Sequence, residues 1–306
     1  MSSRTNKSKP PPSSGKTKTG KSSPGTRSLK LSTKTPKGGS SKGAGAGRWV
    51  GRAVGALFLG LVVFVSYSYA SLPDAEPLLK QNPKTTALID QRAAEAREAN
   101  QKPRRRQTWV SLSNVSKHAI AAVVLSEDAS FFLHEGVDTK ELENALDDAI
   151  RQGKLGRGAS TITQQLAKNL WLSTDRSLLR KAKELLLTRR LEKALPKNRI
   201  LSLYLNVVEW GSGVYGIEAG AREHFGVSAA ELSPAQGALL ASMLPAPRRR
   251  SPASGSPALK RRAHWVIEQM QGVKRLDATQ AQAAHAEIDA LMGGRKADAA
   301  GDDEET

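Results

Sequence analysis

The sequence predicts a mainly α-helical domain that follows one membrane-spanning helix. Apolar residues recur at helical spacing through most of the chain after Thr108, and an uncharged apolar run lies ahead of them. The 306 residues contain no cysteine, so an exported domain of this chain has no disulfides, no thiol nucleophile and no Cys-ligated zinc. The five histidines form no HExxH or His-x-x-x-His pattern, which argues against a zinc hydrolase.

Residues 1–48 are predicted to be a disordered basic tail. They contain no Asp or Glu, and their lysines are spread through Ser, Thr, Gly and Pro, a composition that cannot bury a core. Most of the formal charge of +18 belongs to this tail, so the basic charge does not predict a nucleic-acid-binding domain. We expect the tail to orient the chain in a membrane and to contact anionic lipid.

A transmembrane helix is predicted at 49–72. No charged residue occurs after Arg52 within this stretch, and about 20 apolar residues suffice to span a bilayer. Trp49 and Tyr67 are interface aromatics, and the basic side of the run predicts a cytoplasmic N-terminus. A cleaved signal peptide is the competing interpretation, because Ser68–Ala70 resembles a small-x-small cleavage site. Both interpretations export the rest of the chain.

The exported part begins with a predicted stalk at 73–107, which includes a short helix from Thr86 to Ala99. Helical patterns dominate the domain predicted at 108–292, and the chain ends in an acidic disordered tail at 293–306. The predicted helices of the domain cover 116–126, 139–152, 160–172, 177–195, 198–207, 217–225, 233–243, 257–271 and a last amphipathic stretch from 277 to 291.

Glu127 is a candidate catalytic carboxylate. It follows the apolar run 119–125 and precedes Phe131 and Phe132, so it lies at the end of a buried helix. Desolvation there can raise the pKa of a carboxyl toward neutrality, as a general acid or base requires. The alternative interpretation is a structural carboxylate that caps the helix end.

A second candidate site follows in the helix predicted at 160–172. Thr161, Gln165 and Lys168 fall at i, i+4 and i+7, which places them on one helical face beside an apolar stripe. An ordinary amphipathic helix would show the same pattern. However, the Gly-rich basic loop 151–158 precedes this helix, and such a loop is suited to anion capture.

Glu184 is the third candidate, with Arg180 four residues before it and Lys181 beside it. A solvated ion pair is the simpler explanation. Leucines cover most of this helix, however, so Glu184 is not expected to be freely solvated. A carboxylate held by cations suits a phosphate or pyrophosphate substrate, with or without a divalent metal.

Several long motifs in order carry a resemblance to a known family. The chain resembles the peptidoglycan glycosyltransferases of family 51, in the monofunctional membrane-anchored form, over roughly Thr108 to Pro247. Only Pro196, Gly220 and His224 stand where the family more often has Ser or Thr, Ala, and Tyr. The motifs that carry the resemblance are Glu127–Gly136, Gly158–Asn169, Arg180–Lys181 with Glu184, Leu191–Glu192, Lys197, Ile200–Leu201, Tyr204–Asn206, Glu209–Gly211, Gly213–Ala219 and Leu244–Pro247.

The resemblance implies a lysozyme-like helical domain with a smaller membrane-proximal lobe. It implies an inner-membrane, single-pass enzyme whose periplasmic domain polymerises lipid II into β-1,4-linked glycan strands and releases undecaprenyl pyrophosphate. Its partners would be lipid II, the growing strand, the membrane and cell wall synthesis or division proteins, and not nucleic acid. A transpeptidase domain is not expected, because the only Ser-x-x-Lys, Ser13–Lys16, lies in the basic tail.

The resemblance also assigns roles to individual residues. Glu127 matches the general base, and Glu184 matches a second catalytic carboxylate that binds a divalent cation, Mg or Mn, or stabilises the pyrophosphate. Further residues would bind or position substrate: Asp128, Phe131, His134, Ser160, Thr161, Gln164, Gln165, Lys168, Asn169 and Arg180.

Two other classes of protein compete with this interpretation. A muramidase or other lytic enzyme could use the same fold with a catalytic Glu, but cleavage of a neutral glycosidic bond does not need the cations at Lys168 and Arg180. A non-enzymatic membrane anchor or nucleic-acid-binding protein would account for the basic tail. It would leave the motifs between Glu127 and Glu218 unexplained.

Overall fold

The structure is a computed structural model that describes residues 44–152, 160–173 and 177–293. The predicted acidic tail and nearly all of the basic tail lie outside the described residues, as does most of the Gly-rich loop 151–158. The chain divides into two units, 1–59 and 60–306.

The first helix, α1, covers Ala44–Ala70. Its segment Trp49–Tyr67 is long and apolar enough to cross a membrane, and none of that segment is buried by other residues. A side-chain surface so apolar and so exposed is unstable in water, because every buried CH₂ is worth about 0.8 kcal/mol. The helix therefore fits a single-pass membrane anchor, close to the predicted bounds 49–72.

The second unit is mainly α-helical, as predicted, and each predicted helix is present with small differences at its ends. The helices are α2 Ala87–Glu98, α3 Lys117–Glu127, α4 Thr139–Gln152, α5 Ile162–Trp171, α6 Leu178–Ala194, α7 Lys197–Val207, α8 Ile217–Phe225, α9 Pro234–Met243, α10 Pro257–Gly272 and α11 Ala278–Gly293. Single 3₁₀ turns lie at Glu76–Leu79, Leu112–Asn114 and Pro252–Ser254. The lysozyme-like description stays a prediction.

Local side chains determine where several helices begin. Thr161 and Gln164 form a capping box at the start of α5, and Ser233 and Gln236 form another at the start of α9, where Pro follows at the first helical position. Ser177 accepts a hydrogen bond from the backbone N–H of Arg180 and so caps α6. These caps satisfy backbone donors that would otherwise lack partners.

Helix α3, which carries Glu127 at its end, is held by close packing against α9. Ala119, Ala122 and Val123 of α3 are fully buried. Gly237 of α9 lies so near that an added Cβ would be 2.8 Å from the Cα of Ala119. Only glycine permits this approach of the two backbones. The position of Glu127 is thereby fixed by the core of the domain.

The segment predicted to be a separate stalk is packed onto the domain. Ala75 and Leu78 are buried in the main hydrophobic core, and Leu88 and Ile89 of α2 pack with Tyr215. The helix at Thr86–Ala99 was predicted correctly, whereas the separation of 73–107 from the domain was wrong. The apolar residues here are few and scattered among polar ones, so their burial gives no periodic signal in the sequence.

A small sheet, which the sequence did not predict, joins this segment to the domain. Its strands are β1 Arg106–Gln107, β2 Glu209–Gly211 and β3 Val214–Tyr215, in the order β1-β3-β2. β1 is parallel to β3, and β2 is antiparallel to β3 with a register shift. Strands this short carry too little alternation to be recognised by periodicity.

Gly220 in α8 is a close-contact site, although the family more often has Ala there. A Cβ at this position would lie 2.9 Å from both Cβ and Cγ of Trp210, a fully buried side chain. We expect Gly220→Ala to reduce the free energy of unfolding by about 1–3 kcal/mol through overpacking. Thermal unfolding measures this loss. Gly272→Ala is the control, because nothing lies within 4 Å of the added Cβ; equal unfolding temperatures for the two variants would contradict the prediction.

Candidate active site

The carboxylate of Glu127 lies at the C-terminal end of α3 and is 10% exposed. Its Oε2 accepts a hydrogen bond of 2.9 Å from Gln165 Nε2, and Gln165 Oε1 accepts one of 3.0 Å from the hydroxyl of Tyr204. The other oxygen, Oε1, has no hydrogen-bond partner among the described residues, and Arg262 Nη2 is 3.8 Å away. One oxygen is therefore fixed and the other is left for a further donor.

Burial raises the pKa of the Glu127 carboxyl above its ordinary value. The hydrogen bond from Gln165 opposes this shift, as do the positive charges of Arg262 and Lys168, while the charge of Asp128 adds to it. Desolvation is the largest cause. The result is a carboxylate that takes up a proton more readily than an exposed Glu does, which is the property of a general base.

Asp128, the C-cap of α3, connects the end of this helix to the start of α5. Its Oδ2 accepts a hydrogen bond of 2.9 Å from the backbone N–H of Ile162, and its Oδ1 is 2.9 Å from His134 Nε2. Because His134 Nδ1 accepts from the backbone N–H of Gly136, the neutral ring carries its hydrogen on Nε2 and donates it to Asp128. Asp128 and His134 thus hold the loop that follows Glu127.

Thr161, Gln164 and Asn169 are buried, and the side chains of Thr161 and Gln164 form hydrogen bonds with backbone groups. The Thr161 hydroxyl accepts from the Gln164 N–H and donates to the carbonyl of Gly136 over 2.6 Å. The Gln164 amide oxygen accepts from the Thr161 N–H. Ser160 is exposed and lines the cavity beside Glu127. The structure thus gives Thr161 and Gln164 a structural task, and their predicted contact with substrate stays a prediction.

Lys168 is a half-buried cation that interacts electrostatically with both candidate carboxylates. Burial lowers the pKa of its amine, and the nearby charges of Arg180 and Lys181 lower it further. The charges of Glu184 and Glu127 both raise it, so Lys168 is close enough to interact with each. Two carboxylates predicted from separate motifs therefore both interact with one half-buried lysine.

Glu184 is buried within α6, as its leucine-rich surroundings predicted, with 3% of its surface exposed. Arg180 Nη1 donates to its Oε2 over 2.8 Å, and Lys181 Nζ is paired with its Oε1. Both oxygens are therefore neutralised by cations. Among the described residues no three His, Asp or Glu side chains are grouped as a cation site. Glu184 fits a divalent cation only as one ligand beside substrate oxygens.

Phe131 lies in the core rather than at the surface of the site. Its ring is fully buried and packs edge-on against Phe132 at a centroid distance of 4.9 Å. Lys197 Nζ lies 4.5 Å from the Phe131 ring centroid and donates to Glu192 over 2.7 Å. Phe131 anchors the loop after Glu127 by packing.

A cavity of about 500 Å³ lies beside Glu127. It is lined by the loop around Asp128, the first half of α4 and the start of α5, and also by Arg262, Trp265 and Gln269 of α10. Reasoning from the sequence missed these three residues and Tyr204. Tyr204 stands in a recognised motif, so its hydroxyl could have been considered, but α10 shows only an ordinary amphipathic pattern with two adjacent arginines.

Comparison with known proteins gives consistent matches. A family model described as Transglycosylase matches residues 93–271. The biosynthetic peptidoglycan transglycosylase of Herminiimonas arsenicoxydans is 43% identical over 192 residues, which cover 63% of this chain and 83% of that protein. The protein of the same name from Thiobacillus denitrificans is 38% identical over 226 residues, which cover 74% of this chain and 96% of that protein.

Penicillin-binding protein 1A from Haemophilus influenzae is among the solved structures that match. It is 20% identical, and the match covers 59% of this chain and 17% of that chain with a TM-score of 0.33. A TM-score this low does not establish a common fold. The match of the family model to residues 93–271 starts within the segment that was predicted to be a stalk.

Proposed function

This chain belongs to the transglycosylase family, and we propose that it polymerises lipid II into β-1,4-linked glycan strands with Glu127 as its general base. The chain is a peptidoglycan glycosyltransferase, an enzyme of cell wall synthesis. The other product of the proposed reaction is undecaprenyl pyrophosphate. The general base, the cations that bind the pyrophosphate and the order of proton transfer are parts of the proposal.

One observation carries the assignment of the base. Glu127 has a buried carboxylate with one oxygen fixed by Gln165 and the other without a hydrogen-bond partner among the described residues. A base needs such an oxygen, because the acceptor hydroxyl must donate its proton to it. The cavity beside Glu127 supplies the space for a sugar.

The proposed step is a displacement with inversion at the sugar carbon that bears the pyrophosphate. The 4-hydroxyl oxygen of the acceptor forms the new bond to that carbon as its proton passes to Glu127. The bond from the carbon to the pyrophosphate oxygen breaks, and its electron pair leaves with the pyrophosphate. Lys168, Arg180 and Lys181 supply positive charge for this leaving group, within surroundings that Glu184 holds in place.

A divalent cation, Mg or Mn, belongs to the proposal as a companion of the substrate. Glu184 would be its protein ligand, and pyrophosphate oxygens and water would complete its shell. Such a cation neutralises negative charge on a leaving pyrophosphate. Lys168 and Arg180 remain available to contact the pyrophosphate oxygens that the cation does not bind.

We further propose that the basic tail is cytoplasmic and the helical domain periplasmic, at the inner membrane. Arg52 and the basic tail ahead of the span support this orientation, since positive residues favour the cytoplasmic side. Proteins of cell wall synthesis or division are the expected partners, besides lipid II and the growing strand.

A pH profile tests the hydrogen bond that holds the base. Glu127 must be ionised to accept a proton, so the rate should rise as pH increases through its raised pKa. The hydrogen bond from Gln165 lowers this pKa; Gln165→Leu should therefore move the acid limb of kcat/KM to higher pH. Tyr204→Phe, which only removes the donor to Gln165, should give a smaller shift in the same direction. An acid limb that both variants leave unmoved would contradict this account of Glu127.

The function itself is tested with labelled lipid II and the detergent-solubilised full chain in the presence of a divalent cation. We expect glycan strands to form. Release of fragments from preformed peptidoglycan without strand formation would instead support the lytic alternative, and the pyrophosphate contacts of Lys168 and Arg180 would then have no purpose.

A further inference from the structure

Arg190, near the end of α6, contacts the point where the chain leaves the apolar helix. Its Nη1 donates to the backbone carbonyls of Leu72 over 2.7 Å and Pro73 over 3.3 Å, and its Nη2 donates to the carbonyl of Tyr69. The guanidinium carbon lies 4.4 Å from the centroid of the Tyr69 ring. One side chain of the domain therefore holds three backbone carbonyls within residues 69–73 and an aromatic ring.

One of these acceptors, the carbonyl of Tyr69, belongs to the last turn of α1, and Leu72 and Pro73 follow the end of that helix at Ala70. The last carbonyls of a helix lack intrahelical partners and carry partial negative charge, so a cation with several donors stabilises them. The planar guanidinium can serve several acceptors at fixed angles and also lie over a ring, whereas a lysine would supply a single point charge. Arg190 thus binds the end of α1 by geometry as well as by charge.

A second arginine fastens the chain a few residues further on. Arg199 of α7 donates to the carbonyl of Leu78 over 2.7 Å and to the carbonyl of Gln81 over 2.9 Å. Between the residues that these two arginines contact, Ala75 is buried in the core. The connection 69–82 is therefore attached to the domain at both ends and along its length, and it does not behave as a loose tether.

The same helix that holds the connection also carries the cations of the active site. Glu184 precedes Arg190 by six residues of α6, which is about 9 Å at 1.5 Å per residue, and Arg180 lies one turn further. We propose that Arg190 is a positioning residue that sets the distance between the membrane exit of the chain and the pyrophosphate-binding side chains of α6. The inference rests on the proposed function, since only a membrane-bound substrate makes this distance matter.

The proposal predicts a loss that depends on the substrate. The pyrophosphate of a long-chain lipid II is confined to the surface of a bilayer, so the site must be held at the height of that surface. A short-chain, water-soluble lipid II analogue can reach the site at any height. Arg190→Ala should therefore reduce kcat/KM for long-chain lipid II in vesicles by about tenfold. It should leave kcat/KM for the soluble analogue within about twofold of the wild-type value.

The experiment uses the full chain reconstituted in vesicles, with Arg189→Ala as the matched control. Arg189 neighbours Arg190 on α6, but its side chain is exposed. The control should behave as the wild type with both substrates. Arg190→Lys should show part of the loss with long-chain lipid II, because the charge remains and the forked geometry is lost. Equal losses with both substrates, or no loss with either, would overturn the inference.

A second variant leaves Arg190 intact and disturbs the same connection. A short Gly-Ser insertion between Pro73 and Asp74 loosens the chain between the residues that Arg190 and Arg199 contact. It should reduce kcat/KM for long-chain lipid II in vesicles and leave the value for the soluble analogue nearly unchanged. An insertion variant as active as the wild type on long-chain lipid II in vesicles would refute the positioning role. If the wild type makes no polymer from either substrate, the proposed function fails instead, and the two failures are thereby distinguished.

Discussion

Glu127→Gln is expected to lower the rate of glycan polymerisation by about 10³-fold, which is within the rate enhancement that a general base usually provides. The amide keeps the shape of the carboxylate and can still contact Gln165, so the substrate should bind nearly as well. What is lost is the ability of the unbonded oxygen to accept the proton of the acceptor hydroxyl. The loss should therefore appear in kcat, with KM for lipid II little changed.

Two controls separate this loss from a folding defect. Glu135→Gln changes an exposed carboxylate of the same loop and should be as active as the wild type.

The second control is the thermal stability of the Glu127→Gln variant. Because burial raises the pKa of Glu127, ionisation of this carboxyl destabilises the folded state progressively as the pH rises from the ordinary Glu pKa, and the loss is complete above the raised pKa. The Gln variant should accordingly unfold at the same or a higher temperature than the wild type at neutral pH. The difference should shrink as the pH falls. A variant that is inactive and also less stable would leave the base unsupported.

The second large effect is expected for Lys168→Met, which removes a half-buried charge and keeps the length of the side chain. Lys168 is the cation that interacts with both Glu127 and Glu184, and it is proposed to balance the charge of the departing pyrophosphate. We expect kcat/KM for lipid II to fall by about 10²–10³-fold, the usual cost of losing one group that stabilises transition-state charge. Steady-state polymerisation kinetics measure the loss, and Lys193→Met, an exposed lysine of α6, is the control.

Lys168→Met should also move the acid limb of the pH profile to higher pH. The charge of Lys168 lowers the pKa of Glu127, so its removal should raise that pKa. The residual activity should then require a higher pH than the wild type needs. Residual activity with an unshifted acid limb would mean that Lys168 and Glu127 do not interact, and the arrangement of the site would have to be revised.

The helices could be predicted from the sequence because each depends on local signals. Ser233 followed by Pro234, for example, marks a helix start that needs no tertiary contact. The burial of Glu184 could also be predicted, since leucines surround it on its own helix. These predictions used only the spacing of residues within one element.

Features that depend on contacts between distant parts of the chain could not be predicted. The approach of Arg262 to Glu127 joins positions 135 residues apart, and no periodic pattern on α10 distinguishes Arg262 from the arginine beside it. The roles of Thr161 and Gln164 were obscured for a related reason. A polar face on a helix looks the same in sequence whether it meets a ligand or, as in the capping box, the backbone.

The contact between Gly220 and Trp210 has a consequence for the evolution of this chain. With Trp210 in its present place, the alanine that is more common at position 220 has no room. The two positions are therefore coupled, and the effect of changing one depends on the residue at the other. A chimera that imported α8 from an alanine-bearing relative without its partner strand would inherit the clash. Exchange of β2 and α8 as one block would carry along the position of the strand that the alanine needs.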